Sequence, residues 1–124
     1  MKPAVLLPHD PPTPPITFVD LDDVRDPDTG TVPMEAANIV EMLGGYAELS
    51  ASGTGVHVYV RGRLPKGVGA FMAPLADRGT IEIYDHSRFT GETWRHITGT
   101  PTDTVPAAQN VITDLVAQYD PAPN

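Results

Sequence analysis

The sequence predicts an α+β plait: a mainly antiparallel sheet with its helices packed on one face. Three observations carry this. Strand-like runs and helix-like runs follow one another in the order β-α-β-β-loop-β-(β)-α. The middle two strands are close enough in sequence to form a hairpin, and a second helical pattern comes late.

Ile16 to Asp20 is β-branched and aromatic and reads as a strand that ends at aspartates. Asp22 to Val32 is rich in turn residues, with Asp26-Pro27 and Thr29-Gly30. From Met34 to Leu43, the residues Ala36, Ala37, Ile39, Val40 and Leu43 recur at helical spacing, and Gly44-Gly45 ends the helix. Tyr46 to Leu49 and Val56 to Val60 are strands joined by a Ser/Gly turn. In the second, Val56, Val58 and Val60 share one face, and His57, Tyr59 and Arg61 share the other. Residues 62–79 mix glycine and proline with apolar residues and read as a long loop. Thr80 to Tyr84 is a strand, and Arg95 to Thr98 is a candidate for another. Val105 to Tyr119 has the spacing of a closing helix.

The chain divides into a Pro-rich segment 1–15, a core 16–119 and a tail 120–124. At 124 residues it is the size of one domain with a modest core. No apolar run approaches the roughly 20 residues that span a bilayer, so no membrane partner is expected. The absence of cysteine excludes disulfide scaffolds, zinc ribbons and thiol catalysis, and fits a cytoplasmic protein. The net charge of −8 argues against a broad basic surface for nucleic acid but leaves room for a local basic strip.

Chemistry concentrates in three short segments. Asp20 and Asp22 flank Leu21 at a strand end, and residues at i and i+2 of a strand point to one side. Their oxygens can converge on a hard cation. Taken alone, the pair is also what a strand running out into an acidic turn looks like. An EF-hand loop does not fit, because the glycine and glutamate offsets are wrong and Pro27 interrupts it. Ser52-Gly53-Thr54-Gly55 is a small-residue turn leading to His57. Backbone N–H groups of such a turn can cradle an anion, and His57 can reach a phosphate oxygen. It is not a Walker loop, since no Gly-Lys-Ser/Thr follows. Glu82 stands between Ile81 and Ile83, where a buried carboxylate is costly unless paired or metal-bound, and where a half-exposed strand would also tolerate it. Arg88 could contact a triphosphate or a template phosphate. Arg61 and Arg63 could do likewise, or be surface charges.

Together these segments resemble the archaeo-eukaryotic primase superfamily, and among its members the primase-polymerases of archaeal and phage mobile elements. The hhDhD motif of that family is matched by Phe18-Val19-Asp20-Leu21-Asp22. Its phosphate-contacting histidine motif is matched by Ser52-Gly53-Thr54-Gly55-Val56-His57, and its strand carboxylate by Glu82. The run Glu82-Ile83-Tyr84-Asp85, Arg88-Phe89 and Thr98-Gly99 is similar to a further stretch of those proteins. The resemblance implies an RRM-like plait and a DNA primase/polymerase nucleotidyltransferase. Asp20, Asp22 and Glu82 would be catalytic and hold Mg²⁺ or Mn²⁺. Ser52, Gly53, Thr54, Gly55, His57 and Arg88 would hold the nucleoside triphosphate. A single-stranded DNA template and a helicase or other replication protein would be partners. In that family a further α/β unit precedes the first motif, whereas here the Pro-rich segment 1–15 does. The expectation is therefore a minimal or truncated catalytic half. The competing readings are a non-catalytic nucleotide- or single-stranded-DNA-binding module and, more weakly, a metal-dependent phosphohydrolase or nuclease.

Overall fold

A computed structural model describes residues 15–85, 95–102 and 105–120. The elements are β1 (Ile16–Asp22), α1 (Met34–Leu43), β2 (Tyr46–Leu49), β3 (Val56–Arg61), β4 (Ala70–Pro74), β5 (Thr80–Tyr84) and α2 (Gln109–Tyr119). The strands form one sheet in the order β2-β3-β1-β5-β4, with every neighbouring pair antiparallel. This is the α+β plait that the sequence predicts. Among the described residues, no helix is long and apolar enough to cross a membrane.

Alternation along the strands sorts their side chains onto two faces. Val19 and Leu21 of β1, Val56, Val58 and Val60 of β3, and Ile81 and Ile83 of β5 are buried together on one face. Both helices cover that face. Ala36, Ile39 and Leu43 of α1 and Ile112, Leu115 and Val116 of α2 point into the same cluster, at the spacings that put residues on one side of a helix. The other face carries Phe18, Tyr46 and Tyr59, which form a smaller buried cluster with Ile16, Tyr84 and Val105 packed against it. That second face is therefore closed at its aromatic end. It opens towards the C-terminal end of β1, where Asp22 is exposed.

Four differences from the sequence expectation have physical causes. β1 runs on to Asp22, because Asp22 still pairs with Thr80 of β5. β4 lies inside the stretch 62–79 that reads as loop. It is a five-residue edge strand with Phe71 and Ala73 turned inward, too short to display its alternation, and its ladder comes wholly from β5. Pro74 is tolerated there because an edge strand leaves one side of its backbone unpaired. Arg95 to Thr98 contributes one bridge, Glu48 to His96, flanked by hydrogen bonds from Leu49 N–H to Arg95 O and from Ile97 N–H to Ala47 O. It lies along the free edge of β2. The last helix begins at Gln109 and not at Val105. The backbone before it is spent on the end of β3: Arg61 N–H donates to Pro106 O, and Ala108 N–H donates to Arg61 O.

Two contacts lock the layers. The Glu35 carboxylate on α1 accepts from Ala76 N–H at 2.9 Å, Asp77 N–H at 2.7 Å and the Tyr119 hydroxyl at 2.5 Å. It thereby ties α1 to the β4–β5 turn and to α2. Burial works to raise its pKa, but the three hydrogen bonds outweigh that and hold it below the usual glutamate value. Gly79 in the β4–β5 turn has φ +85°, and a Cβ there would fall 2.2 Å from the Asp22 carbonyl oxygen. The turn can lie against the end of β1 only because residue 79 has no side chain.

Gly79→Ala should therefore cost about 1–2 kcal/mol for the left-handed backbone alone, and more for the contact with Asp22. Urea unfolding will show a lower midpoint than wild type. A midpoint within error of wild type would mean that the β4–β5 turn does not bear on the end of β1.

Candidate active site

The sheet register sets the site. Asp20 pairs with His57 on one side and with Glu82 on the other. His57 pairs in turn with Glu48, Glu82 with Met72, and Glu48 is bridged to His96. Residues directly opposite one another in antiparallel strands share a face, with Cβ atoms about 4.5–5.5 Å apart. One row across the sheet thus reads His96, Glu48, His57, Asp20, Glu82, Met72. Asp22 stands one step further along β1 on the same face. The structure brings Asp20, His57 and Glu82 side by side.

His57 is held from several directions. Its Nδ1 lies 3.2 Å from Glu48 Oε2, and its Nε2 lies 3.8 Å from Asp20 Oδ1. Phe18 packs edge-on against the ring, with centroids 5.0 Å apart. Glu48 is wholly buried. It also hydrogen-bonds the Tyr46 side chain, and burial together with Glu48 pushes the Tyr46 hydroxyl up to about 12. Glu82 accepts a hydrogen bond from the Tyr84 hydroxyl on its own strand.

The Asp20 carboxyl is pushed up to about 6. Burial is the largest cause; His57 opposes it, and the neighbouring carboxylates Glu82 and Asp22 add to it. Asp20, Asp22 and Glu82 are a set of oxygen donors with mutually repelling charge, the chemistry that suits a hard divalent cation. The fit is one of donor type and face. Among the described residues, no three His, Asp or Glu side chains stand close enough to hold a metal ion as arranged. Glu82 Oε1 is engaged by the Tyr84 hydroxyl, which leaves Oε2 as its oxygen for a cation.

The Ser52–Gly55 turn joins β2 to β3 at the sheet end where Asp22 lies. Gly53 N–H donates to Ser50 O, Gly55 N–H to Ser50 Oγ, and Thr54 N–H to Ser52 Oγ at 3.4 Å. Thr54 O accepts from both Val24 N–H and Arg25 N–H. Arg25 Nη1 donates to Gly53 O at 2.8 Å, and Arg95 donates to the carbonyls of Ser50 and Ala51. The sequence suggests an anion cradle of free N–H groups, but in this conformation the turn spends those of residues 53–55 on its own serines. Arg88 lies outside the described residues.

Glu48 is the site residue that sequence reasoning missed. Its signal was present. A hairpin whose last pair is Leu49 and Val56 places Glu48 opposite His57, and a glutamate in the run Tyr46-Ala47-Glu48-Leu49 needs a partner if that strand is buried.

No family model matches the chain. It is similar to the DNA primase-polymerase of Nitratiruptor phage NrS-1. The two are 33% identical over 81 residues, which is 63% of this chain and 11% of the phage protein. Part of this chain is thus related to a primase-polymerase, and the matched region is about a tenth of the phage protein's length.

The raised Asp20 pKa has a defined sign. Between its ordinary value of 3.8 and about 6, the folded state binds the proton that the unfolded state releases. Stability from this group is therefore lost as pH rises through that window. In EDTA, Asp20→Asn should raise the melting temperature by a few degrees at pH 7.5 and leave it nearly unchanged at pH 4. An equal shift at both pH values would contradict the assigned cause.

Proposed function

We propose that this chain is a nucleotidyl-transfer module of the DNA primase-polymerase type. The observation that supports it best is the row His57, Asp20, Glu82 on three adjacent strands, with Asp22 next to it on the same face. The similarity to the phage primase-polymerase supports the same reading. In the reaction, the 3′-hydroxyl oxygen of a primer strand or first nucleotide attacks the α-phosphorus of a nucleoside triphosphate. A new P–O bond forms, the bond to the oxygen bridging to the β-phosphate breaks, and pyrophosphate leaves with that electron pair.

Asp20, Asp22 and Glu82 would hold Mg²⁺ or Mn²⁺. When bound, such ions supply a more acidic 3′-hydroxyl and neutralise charge on the departing pyrophosphate. His57 faces the row from β3, where its Nε2 can meet a phosphate oxygen of the triphosphate. The Ser52 and Thr54 hydroxyls, at the same end of the sheet, are the turn's candidate contacts.

A template strand needs cationic contacts that this acidic chain supplies locally. The segment 63–68 with Asp85 lines a cavity of about 430 Å³. Arg63 and Lys66 stand exposed there, with no ion-pair partner among the described residues. Gln109 fixes the loop by accepting from Arg63 N–H and donating to Arg63 O. The loop follows β3 at the sheet end opposite the Ser52–Gly55 turn, so a strand crossing the sheet would run between them.

A second reading, a binding module without catalysis, is favoured by the hydrogen bond that keeps Glu82 on Tyr84. Primer-extension and dinucleotide-synthesis assays with Mg²⁺ or Mn²⁺ separate the two. Asp20→Ala, Asp22→Ala and Glu82→Ala should each abolish product while the circular dichroism spectrum stays native. Triphosphate binding with no phosphodiester product, primed or unprimed, would establish the module reading instead.

Single-stranded DNA binding followed by fluorescence anisotropy should weaken with salt. The Arg63→Ala/Lys66→Ala double variant should flatten the log–log slope by about 0.7 for each lost phosphate contact. An unchanged slope would remove this loop from the template path.

A further inference from the structure

Glu48 has no role in the motifs that point to nucleotidyl transfer, yet it is a wholly buried carboxylate in the four-residue strand β2. Burying a carboxylate is costly, and a structural pairing would serve as well with a neutral residue. Its position is specific. The hairpin register sets it opposite His57, and its Oε2 lies 3.2 Å from His57 Nδ1. Tyr46 hydrogen-bonds it from the same strand, so its own direction is fixed.

We propose that Glu48 is a positioning residue for His57: by accepting the Nδ1 proton it turns Nε2 towards Asp20 and the face where a triphosphate would lie. This deepens the nucleotidyl-transfer reading and rests on it. The chemistry is directional. An ionised Glu48 can only accept, and Nδ1 is then the protonated nitrogen. Nε2, 3.8 Å from Asp20 Oδ1, is then the nitrogen left to face a phosphate oxygen, and it donates there only when the ring carries a second proton. Phe18 closes on the ring and limits its rotation.

The test begins on the wild-type chain and needs no variant. With ¹⁵N-labelled histidine, long-range ¹H–¹⁵N correlation above the pH where the ring loses its second proton should find the remaining proton on Nδ1. A proton on Nε2 instead would overturn the proposal. Glu48→Gln keeps the shape but can donate to Nδ1 as well as accept from it, so the ring should become a mixture of tautomers. Affinity for dATP measured with Mn²⁺ should fall about tenfold, the scale of one charge-assisted hydrogen bond. Mn²⁺ affinity read by electron paramagnetic resonance should change less than twofold. Adding Glu48→Gln to His57→Ala should cost nothing further in dATP affinity, because Glu48 acts through the ring. Equal losses of Mn²⁺ and dATP affinity, or a full additive loss in the double variant, would make Glu48 merely structural and overturn the proposal. Wild-type protein that binds no dATP would overturn the nucleotidyl-transfer reading and this role with it. Binding by wild type with the wrong tautomer would overturn this role alone.

Discussion

The pairing of β1 with β3 and β5 is the constraint on which the molecule rests. Val19 and Leu21 join the helix-covered core only in the register that sets Asp20 between His57 and Glu82. A slip of one residue would turn the aspartates inward and the aliphatic residues outward, exchanging core for site. Hydrophobic burial on one face therefore enforces the geometry of the polar row on the other. The carboxylates are close because the valines and isoleucines behind them have no other arrangement, and the repulsion between them is offset by that core.

The aromatic half of the second face has a similar function. Phe18, Tyr46 and Tyr59 form a parallel row beside it and make its two flanks unlike. Towards the aromatics, Glu48 is sealed and His57 is held by a ring edge. Towards the end of β1, Asp22 is open to solvent. Asp20 lies at the boundary, which is why burial contributes most to its raised pKa. Charged groups at such a boundary feel one another more strongly than they would in water and remain reachable by a ligand.

Much of this was legible from the residues. The helix Met34–Leu43 and the strands Tyr46–Leu49 and Thr80–Tyr84 have the bounds that periodicity and glycine placement give them. The shared face of Asp20 and Asp22 follows from strand geometry alone. What escaped were features decided by partners distant in sequence. β4 is a strand because β5 offers it a ladder, and its own five residues carry too little alternation to announce it. The start of α2 moved because β3 takes up the backbone at Pro106 and Ala108. Glu48 looked like any strand glutamate until the hairpin register gave it a histidine. The turn at residues 52–55 had the right composition for an anion cradle, but composition does not show that Ser50 and Ser52 occupy its N–H groups.

The Glu35 junction has a consequence for how the chain assembles. Glu35 and Tyr119 are 84 positions apart, and their contact closes over both halves of the sheet. A growing chain can form the β2–β3 hairpin and set β3 against β1 early, while the flank of β1 that later receives β5 is still bare. Half of the polar row, from Glu48 through His57 to Asp20, can then form before Glu82 has paired with β1. Pairing in that order builds the histidine side of the site first and adds the last carboxylate late. Long-range closure of this kind slows folding and lengthens the time for which an unpaired central strand is available to other chains.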